Sequence, residues 1–287
     1  MHKNISESIN NLPSISATIK QYNLFANKKL SQNFILDLNL TNKIVNLSST
    51  IKNNTVIEIG AGPGPLTRSI LLNGAKKIII IEKDKRFIEP LNILNIASEN
   101  RIIIENQDAI KLDLNDILEK YNVDQAEIIA NLPYSIATKL LLNWIPFHKN
   151  IKMMTLMFQK EVAERIVAEP GSKKYGRLSI LLGLTTNAKI VMNISSSAFT
   201  PKPKIESAIV QIIPKKIKKT FNKIILGEIT QTLFNQRRKQ IKSTLSKFGD
   251  PIKICKLLNV KPTKRPEELT LDQYEKLTNI ITNYQGL

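Results

Sequence analysis

Between residues 55 and 160 the chain repeats one pattern: a short β-branched run, a turn, then a stretch of helical spacing. Thr55-Val56-Ile57-Glu58-Ile59 is the first run, Ile78-Ile79-Ile80-Ile81-Glu82 the second and Ile102-Ile103-Ile104 the third. Ile128-Ile129-Ala130-Asn131 is the fourth, and Met153 to Phe158 makes a fifth. Apolar runs of this kind have no polar face to show water, so such strands need cover on both sides. Strands separated by helices pair in parallel. The pattern therefore predicts an α/β fold with a parallel sheet between two helical layers. Two later runs, around Ala188–Ile194 and Ile205–Ile213, flank a proline-rich loop and are expected as an antiparallel hairpin at one sheet edge.

Past Pro214 the pattern changes. Ile225, Ile229 and Leu233, then Ile241, Leu245 and Phe248, recur at helical spacing, and Gly249-Asp250-Pro251 and Lys261-Pro262 divide the chain into short helices. The expected organisation is a catalytic-type α/β domain over 22–214 and a small all-α domain over 215–287. Residues 1–21 hold Ser and Asn clusters, no Arg and no apolar run of signal-peptide length, so they are expected to form a mobile tail.

The longest aliphatic runs, such as Ile78 to Ile81, are too short to span a bilayer, which argues against a membrane protein. Cys255 is the single cysteine, so no intramolecular disulfide forms, and a reducing cytoplasm fits. His2 and His148 lie far apart and suggest no metal cluster. Net charge is +18, and residues 201–287 carry 18 Lys/Arg against 7 Asp/Glu. That imbalance suits a polyanionic partner, although a Lys- and Asn-rich codon usage would also raise it. No long apolar stripe is evident, and a monomer is expected.

The first strand runs into Gly60-Ala61-Gly62-Pro63-Gly64 and then a helix over roughly Pro65 to Asn73. Glycines allow backbone to approach a ligand and to take positive φ, and ligands of open parallel sheets bind beyond the strand ends. A dinucleotide turn needs a third glycine at position 65, which is Pro65; the spacing instead resembles the Gly-x-Gly-x-Gly turn of S-adenosylmethionine (SAM)-dependent methyltransferases. Glu82 closes the second strand 22 residues after Gly60, where an acid can accept from both ribose hydroxyls. Asp108 follows the third strand, placed to bind the exocyclic amine of the cofactor adenine. Each acid alone would read as a helix N-cap; three features in register on consecutive strand ends point to a nucleoside-bearing cofactor.

Asn131-Leu132-Pro133-Tyr134 ends the fourth strand. An exocyclic adenine amine is a poor nucleophile because its lone pair is delocalised into the ring. Two acceptors on its N–H groups favour a pyramidal nitrogen. The Asn131 side-chain oxygen is read as one and the Pro133 carbonyl as the other, with Tyr134 as a stacking face for the extracted base. The sulfonium of SAM carries the leaving-group activation, so no metal is expected, and catalysis would be positioning plus preorganised electrostatics.

These motifs resemble the small-subunit ribosomal RNA adenine dimethylases. The match starts at Lys29-Leu30-Ser31-Gln32-Asn33-Phe34-Ile35 and runs through Gly60, Glu82, Asp108 and Asn131–Tyr134. It continues in Gln159-Lys160-Glu161-Val162-Ala163, Tyr175-Gly176-Arg177-Leu178-Ser179, Ala198-Phe199-Thr200-Pro201-Lys202-Pro203-Lys204 and Phe234-Asn235-Gln236-Arg237-Arg238-Lys239. Ser31 and Ile35 replace the family's usual glycine and leucine. The resemblance implies a seven-stranded SAM-dependent methyltransferase sheet with a helical C-terminal domain. It implies cofactor contacts at Asn33, Ile35, Gly60, Glu82, Asp108 and Asn131, and Phe199 as a second face for the target base. It further implies dimethylation of two adjacent adenines near the 3′ end of small-subunit rRNA, in an assembling 30S-type subunit. The segment around 234–248 is expected as one amphipathic helix, with Leu233, Ile241 and Leu245 inward and Arg237, Arg238, Lys239 and Lys242 toward RNA phosphates. The nearest alternatives are a macrolide-resistance-type methyltransferase of large-subunit rRNA and a non-catalytic RNA-binding assembly factor.

Overall fold

In the computed structural model, which describes residues 5–27, 30, 32–48, 50–215 and 222–284, the aliphatic runs of the sequence form one mixed sheet. Chain order begins with helices α1 (Ile5–Asn10) and α2 (Ile15–Gln21), strand β1 (Phe34–Ile35) and helix α3 (Leu38–Val45). There follow β2 (Thr55–Ile59), α4 (Pro65–Leu72), β3 (Lys77–Ile81), α5 (Ile88–Ala97), β4 (Ile102–Glu105), α6 (Leu114–Lys120), β5 (Ala126–Ala130) and α7 (Tyr134–Asn143). Next come β6 (Ile151–Gln159), α8 (Lys160–Ile166), α9 (Arg177–Thr185), β7 (Thr186–Ile194), β8 (Phe199–Thr200) and β9 (Ser207–Pro214). Helices α10 (Lys223–Asn235), α11 (Ile241–Leu245), α12 (Pro251–Leu258) and α13 (Leu271–Tyr284) complete the order.

The seven sheet strands lie in the order β4-β3-β2-β5-β6-β9-β7. Pairs β3/β4, β2/β3, β2/β5 and β5/β6 are parallel, and β6/β9 is antiparallel. The β-branched, two-sided burial that the sequence pattern demanded is present: Ile78, Ile79 and Ile80 are all fully buried. The order reverses at β2/β5, so the first turn and the end of β5 open side by side, where such sheets bind ligands. Among the described residues no helix is long and apolar enough to cross a membrane.

The chain divides into two units, Met1–Ala163 with Lys189–Pro214, and Glu164–Ala188 with Lys215–Leu287. The expected boundary at 214/215 therefore misses a segment. Residues 164–188 belong with the helical unit because Tyr175 and Ile180 are buried in its core, among Ile225, Ile229, Leu233 and Tyr274.

Two further expectations are corrected. Residues 1–21 are not simply a tail: α1 and α2 are helical, and Ile9 packs in the core of the sheet unit. The Ser and Asn content that suggests a tail supplies caps instead, as where the Ser14 side chain accepts from the Ala17 amide. The single helix expected over 234–248 is broken. Helix α10 ends at Asn235, Gln236 to Gln240 form a turn closed by Lys239 N–H donating to the Gln236 carbonyl, and α11 resumes at Ile241. Lys29 and Ser31 of the N-terminal motif lie outside the described residues.

Candidate active site at the strand ends

The turn after β2 takes backbone conformations that side chains resist. Gly60 and Gly62 have φ of +73° and +55°, and a Cβ on Gly62 would sit 3.4 Å from Cε1 of Phe34. In this geometry the Gly62 amide donates to Glu82 Oε2 at 3.0 Å, and the Asp84 amide donates to Oε1 at 2.8 Å. The two amides hold the Glu82 carboxylate at the end of β3, and each oxygen keeps lone-pair capacity for a ligand. Burial raises its pKa, while those backbone donors pull it down.

Glu58, the penultimate residue of β2, is a second carboxylate nearby. Its Oε2 accepts from Thr67 Oγ1 at 2.7 Å, but its Oε1 is buried with no partner. Burial, with a smaller push from the Glu82 charge, raises its pKa to about 8 against the opposing Thr67 hydrogen bond. Asp108, beyond β4, accepts from Lys83 Nζ at 2.8 Å and from the Ile110 amide at 3.1 Å. The Lys83 hydrogen bond is the largest of the effects that lower its pKa.

At the end of β5, Asn131 Nδ2 donates to the Asn33 carbonyl at 3.0 Å. That bond fixes which end of the amide faces the N-terminal segment and leaves Oδ1 as an acceptor with no partner among the described residues. Residues Phe34 and Ile35 are held in place by pairing of β1 with β8, Ile35 opposite Phe199. Tyr134 opens α7, and its hydroxyl bonds to Ser207 Oγ on β9. Burial raises the Tyr134 pKa.

Asn33, Ile35, Gly60, Glu82, Asp108, Asn131, Pro133 and Tyr134 all line one cavity of about 360 Å³, together with Glu58. Phe199 is not on its wall. Its ring is 3% exposed and packs in the core with Phe34 and Ile35. The Pro133 carbonyl is not a free acceptor either. Pro133 is the N-cap of α7, and its oxygen accepts from the Ile136 and Ala137 amides at 3.0 and 3.1 Å. The adjacent Leu132 carbonyl has no hydrogen bond among the described residues, and Leu132 lines the cavity. Sequence reading missed that the Pro133 oxygen is taken by the helix. The available signal was the apolar spacing of Ala137, Leu140 and Leu141, which starts a helix immediately after Pro133 and makes its carbonyl a helix acceptor.

In the helical unit, Arg237 is bound to its own chain. Nη1 donates to the Lys173 carbonyl at 2.7 Å, Nη2 to the Ser172 carbonyl at 3.1 Å, and Nε lies 3.6 Å from Glu267 Oε2. Arg238, Lys239 and Lys242 are exposed.

A seven-stranded sheet with a ligand cavity at its reversal point and an acid beyond each of two neighbouring strands is the fold of the SAM-dependent methyltransferases. The 23S rRNA methyltransferase ErmE shares that fold at 18% identity, with a TM-score of 0.65 over 87% of this chain and 99% of its own. Residues 23–284 match the ribosomal RNA adenine dimethylase family, and the chain belongs to it. It is 40% identical over 283 residues to a ribosomal RNA small subunit methyltransferase A of Xanthobacter autotrophicus, covering 97% of each. A protein of the same name from Bartonella quintana is 42% identical over 276 residues, 95% of this chain and 99% of its own length. A dimethyladenosine transferase from Plasmodium falciparum superposes with a TM-score of 0.72 at 28% identity, covering 88% of this chain and 98% of that one.

Proposed function

We propose that this enzyme transfers methyl groups from SAM to N6 of two adjacent adenines near the 3′ end of small-subunit rRNA, giving N6,N6-dimethyladenosine. It acts in the cytoplasm, as a monomer, on RNA within an assembling 30S-type subunit. The observation that carries the reading is the Asn131 amide, whose Nδ2 is taken by the Asn33 carbonyl and which lines one cavity with Glu82 and Asp108.

The cavity suits SAM on grounds of charge. Two buried carboxylates, Glu58 and Glu82, share it, and Glu58 Oε1 has no partner. Such a site is completed by a cationic ligand. Glu82 would hold the ribose hydroxyls and Asp108 the adenine amine, with the Gly60 turn beneath and Asn33 and Ile35 on the N-terminal side. When bound, SAM supplies a methyl group on a sulfonium, already activated for displacement.

The chain's own residues prepare the nucleophile. Asn131 Oδ1 and the Leu132 carbonyl accept the two N6–H bonds, which turns the nitrogen lone pair toward the cofactor. Leu132 replaces Pro133 in that role because the Pro133 oxygen is engaged by α7. Tyr134 stacks on the base, its ring held by the hydroxyl bond to Ser207. The proton leaves N6 after transfer, so no strong base is required. Arg238, Lys239 and Lys242 are exposed cations suited to RNA phosphates.

The test is transfer of labelled methyl from SAM to undermethylated small subunits, followed by nucleoside analysis. Dimethyladenosine that disappears with Asn131→Ala supports the reading. Label on large-subunit RNA alone would overturn the substrate assignment.

A further inference from the structure

Arg68 on α4 is a buried cation with no counter-ion among the described residues. It is 6% exposed. Its Nη1 donates to the Pro13 carbonyl at 2.8 Å, and its Nε is shielded from solvent with no partner. Among the described residues no carboxylate pairs with it. Most buried charges escape this situation by losing or gaining a proton, but a guanidinium stays protonated in proteins. An unpaired buried charge is otherwise strongly disfavoured.

Arg68 lines a small cavity of about 90 Å³, roofed by Pro13, Thr18, Gln21 and Tyr22 of the N-terminal segment. Among the described residues the Tyr22 hydroxyl and the Gln21 carboxamide also have no hydrogen-bond partner, and Thr18 Oγ1 already donates to the Ser14 carbonyl. The Arg68 guanidinium of α4, engaged on one side by Pro13, and two unengaged groups, from the end of α2 and its C-terminal cap, thus line one cavity with no acid on its wall. Gln21 is exposed and Tyr22 half-buried, which gives a solute a way in.

We propose that this cavity is an oxyanion site that takes a phosphate group. Arginine offers a bidentate fork to such a group, and a tetrahedral anion accepts further donors from other directions. Pro63, in the turn that floors the cofactor cavity, lines this second cavity as well. A phosphate held here ties the N-terminal helices to the turn of the cofactor site. The phosphate is either free inorganic phosphate or a phosphodiester of the RNA, and the experiment separates the two.

The full chain is titrated with inorganic phosphate against chloride at matched ionic strength, with thermal unfolding and amide exchange as readouts. For free phosphate, the expected result is a rise in Tm with slower exchange at least five-fold, confined to residues 5–22 and α4. Both effects are absent in Arg68→Met. Because that variant can fail to fold, Gln21→Ala and Tyr22→Phe at the rim are tested too, and each weakens the phosphate effect several-fold. If inorganic phosphate does nothing, but Gln21→Ala and Tyr22→Phe each weaken binding of small-subunit RNA several-fold, the phosphate comes from the RNA backbone. If neither phosphate nor RNA binding responds to any of the variants, the cavity holds water alone and the proposal is overturned.

Discussion

The strand-end cavity of the sheet unit and the basic turn of the helical unit both gather ionisable side chains, and they treat them in opposite ways. At the strand ends the acids are buried and incompletely satisfied: Glu58 has an oxygen with no partner, and Glu82 is held only by backbone amides. At the turn after α10, the one partly buried cation, Arg237, is satisfied by its own chain, while Arg238, Lys239 and Lys242 stand in solvent. Incomplete pairing in a cavity marks a site waiting for a ligand, and complete internal pairing marks a brace. Sequence shows the charge in both places but not which state it is in.

The sharpest contrast is between removing the acceptor proposed for the reacting amine and removing a brace. Asn131→Ala takes away the oriented amide, and loss of one preorganised polar partner lowers kcat by about 10²–10³-fold. Methyl-transfer rates on undermethylated subunits measure this, with thermal unfolding as the control. A drop in Tm that accounts for the lost activity would erase the distinction between site and brace.

Glu58 gives the next largest effect, and its sign follows from linkage. The folded pKa, about 8, lies above the reference 4.5. Below pH 4.5 both folded and unfolded states are protonated and nothing is lost. As pH rises from there to about 8, the unfolded chain ionises while the folded one resists, so stability falls, then levels off. The full loss is on the order of a few kcal/mol. Glu58→Gln removes the dependence, so its unfolding curve is flatter across that window. A cationic ligand in the cavity stabilises the ionised form, so SAM binding near pH 7 should release a proton. Calorimetry in two buffers of different ionisation enthalpy detects that release, and identical heats would count against Glu58 facing the ligand.

The helical unit supplies a smaller pair. Arg237→Ala breaks two hydrogen bonds to backbone carbonyls and costs about 1–2 kcal/mol of stability, discounted because the side chain is partly exposed. Arg238→Ala leaves stability within about 0.5 kcal/mol but weakens RNA binding and shallows its salt dependence. Denaturant melts and salt-dependent binding isotherms report the two quantities. If the roles exchange, so that Arg237→Ala affects only binding, the brace assignment is wrong.

The elements legible in the sequence are those fixed by local pattern. Two-sided apolar runs gave the strands of the sheet, and the glycine spacing with Glu82, Asp108 and Asn131 marked the residues that line one cavity. What was hidden depends on partners far along the chain. The Lys173 carbonyl that holds Arg237 is 64 residues away, and Tyr175 joins the helical core only through packing with α10 and α13. Helices α1 and α2 have 6 and 7 residues, too short to announce themselves by periodicity, and tertiary burial stabilises them. The role of the Pro133 carbonyl was hidden for a local reason: it turns on where α7 begins.

The smallest expected effect falls on Asp84, which links two walls of the cavity. Its carboxylate accepts from Gln32 Nε2 at 3.0 Å and from Arg86 Nε at 2.9 Å, while its amide donates to Glu82. Gln32 in turn accepts from the Asn27 amide, and Arg86 donates to the Phe25 carbonyl. The N-terminal segment that carries Asn33 is thus tethered to the loop that carries Glu82. Asp84→Asn keeps the backbone bond to Glu82 and weakens the tether, so KM for SAM should rise a few-fold, equivalent to about 1 kcal/mol, with kcat nearly unchanged. The Arg86 hydrogen bond is the main cause holding the Asp84 pKa down at about 2, against a reference of 3.8. Its contribution to stability is therefore present above pH 3.8 and lost as pH falls toward 2. A fall in kcat with KM unmoved would place Asp84 with Asn131 rather than with the cofactor wall, and would break the division between residues that hold the cofactor and residues that present the base.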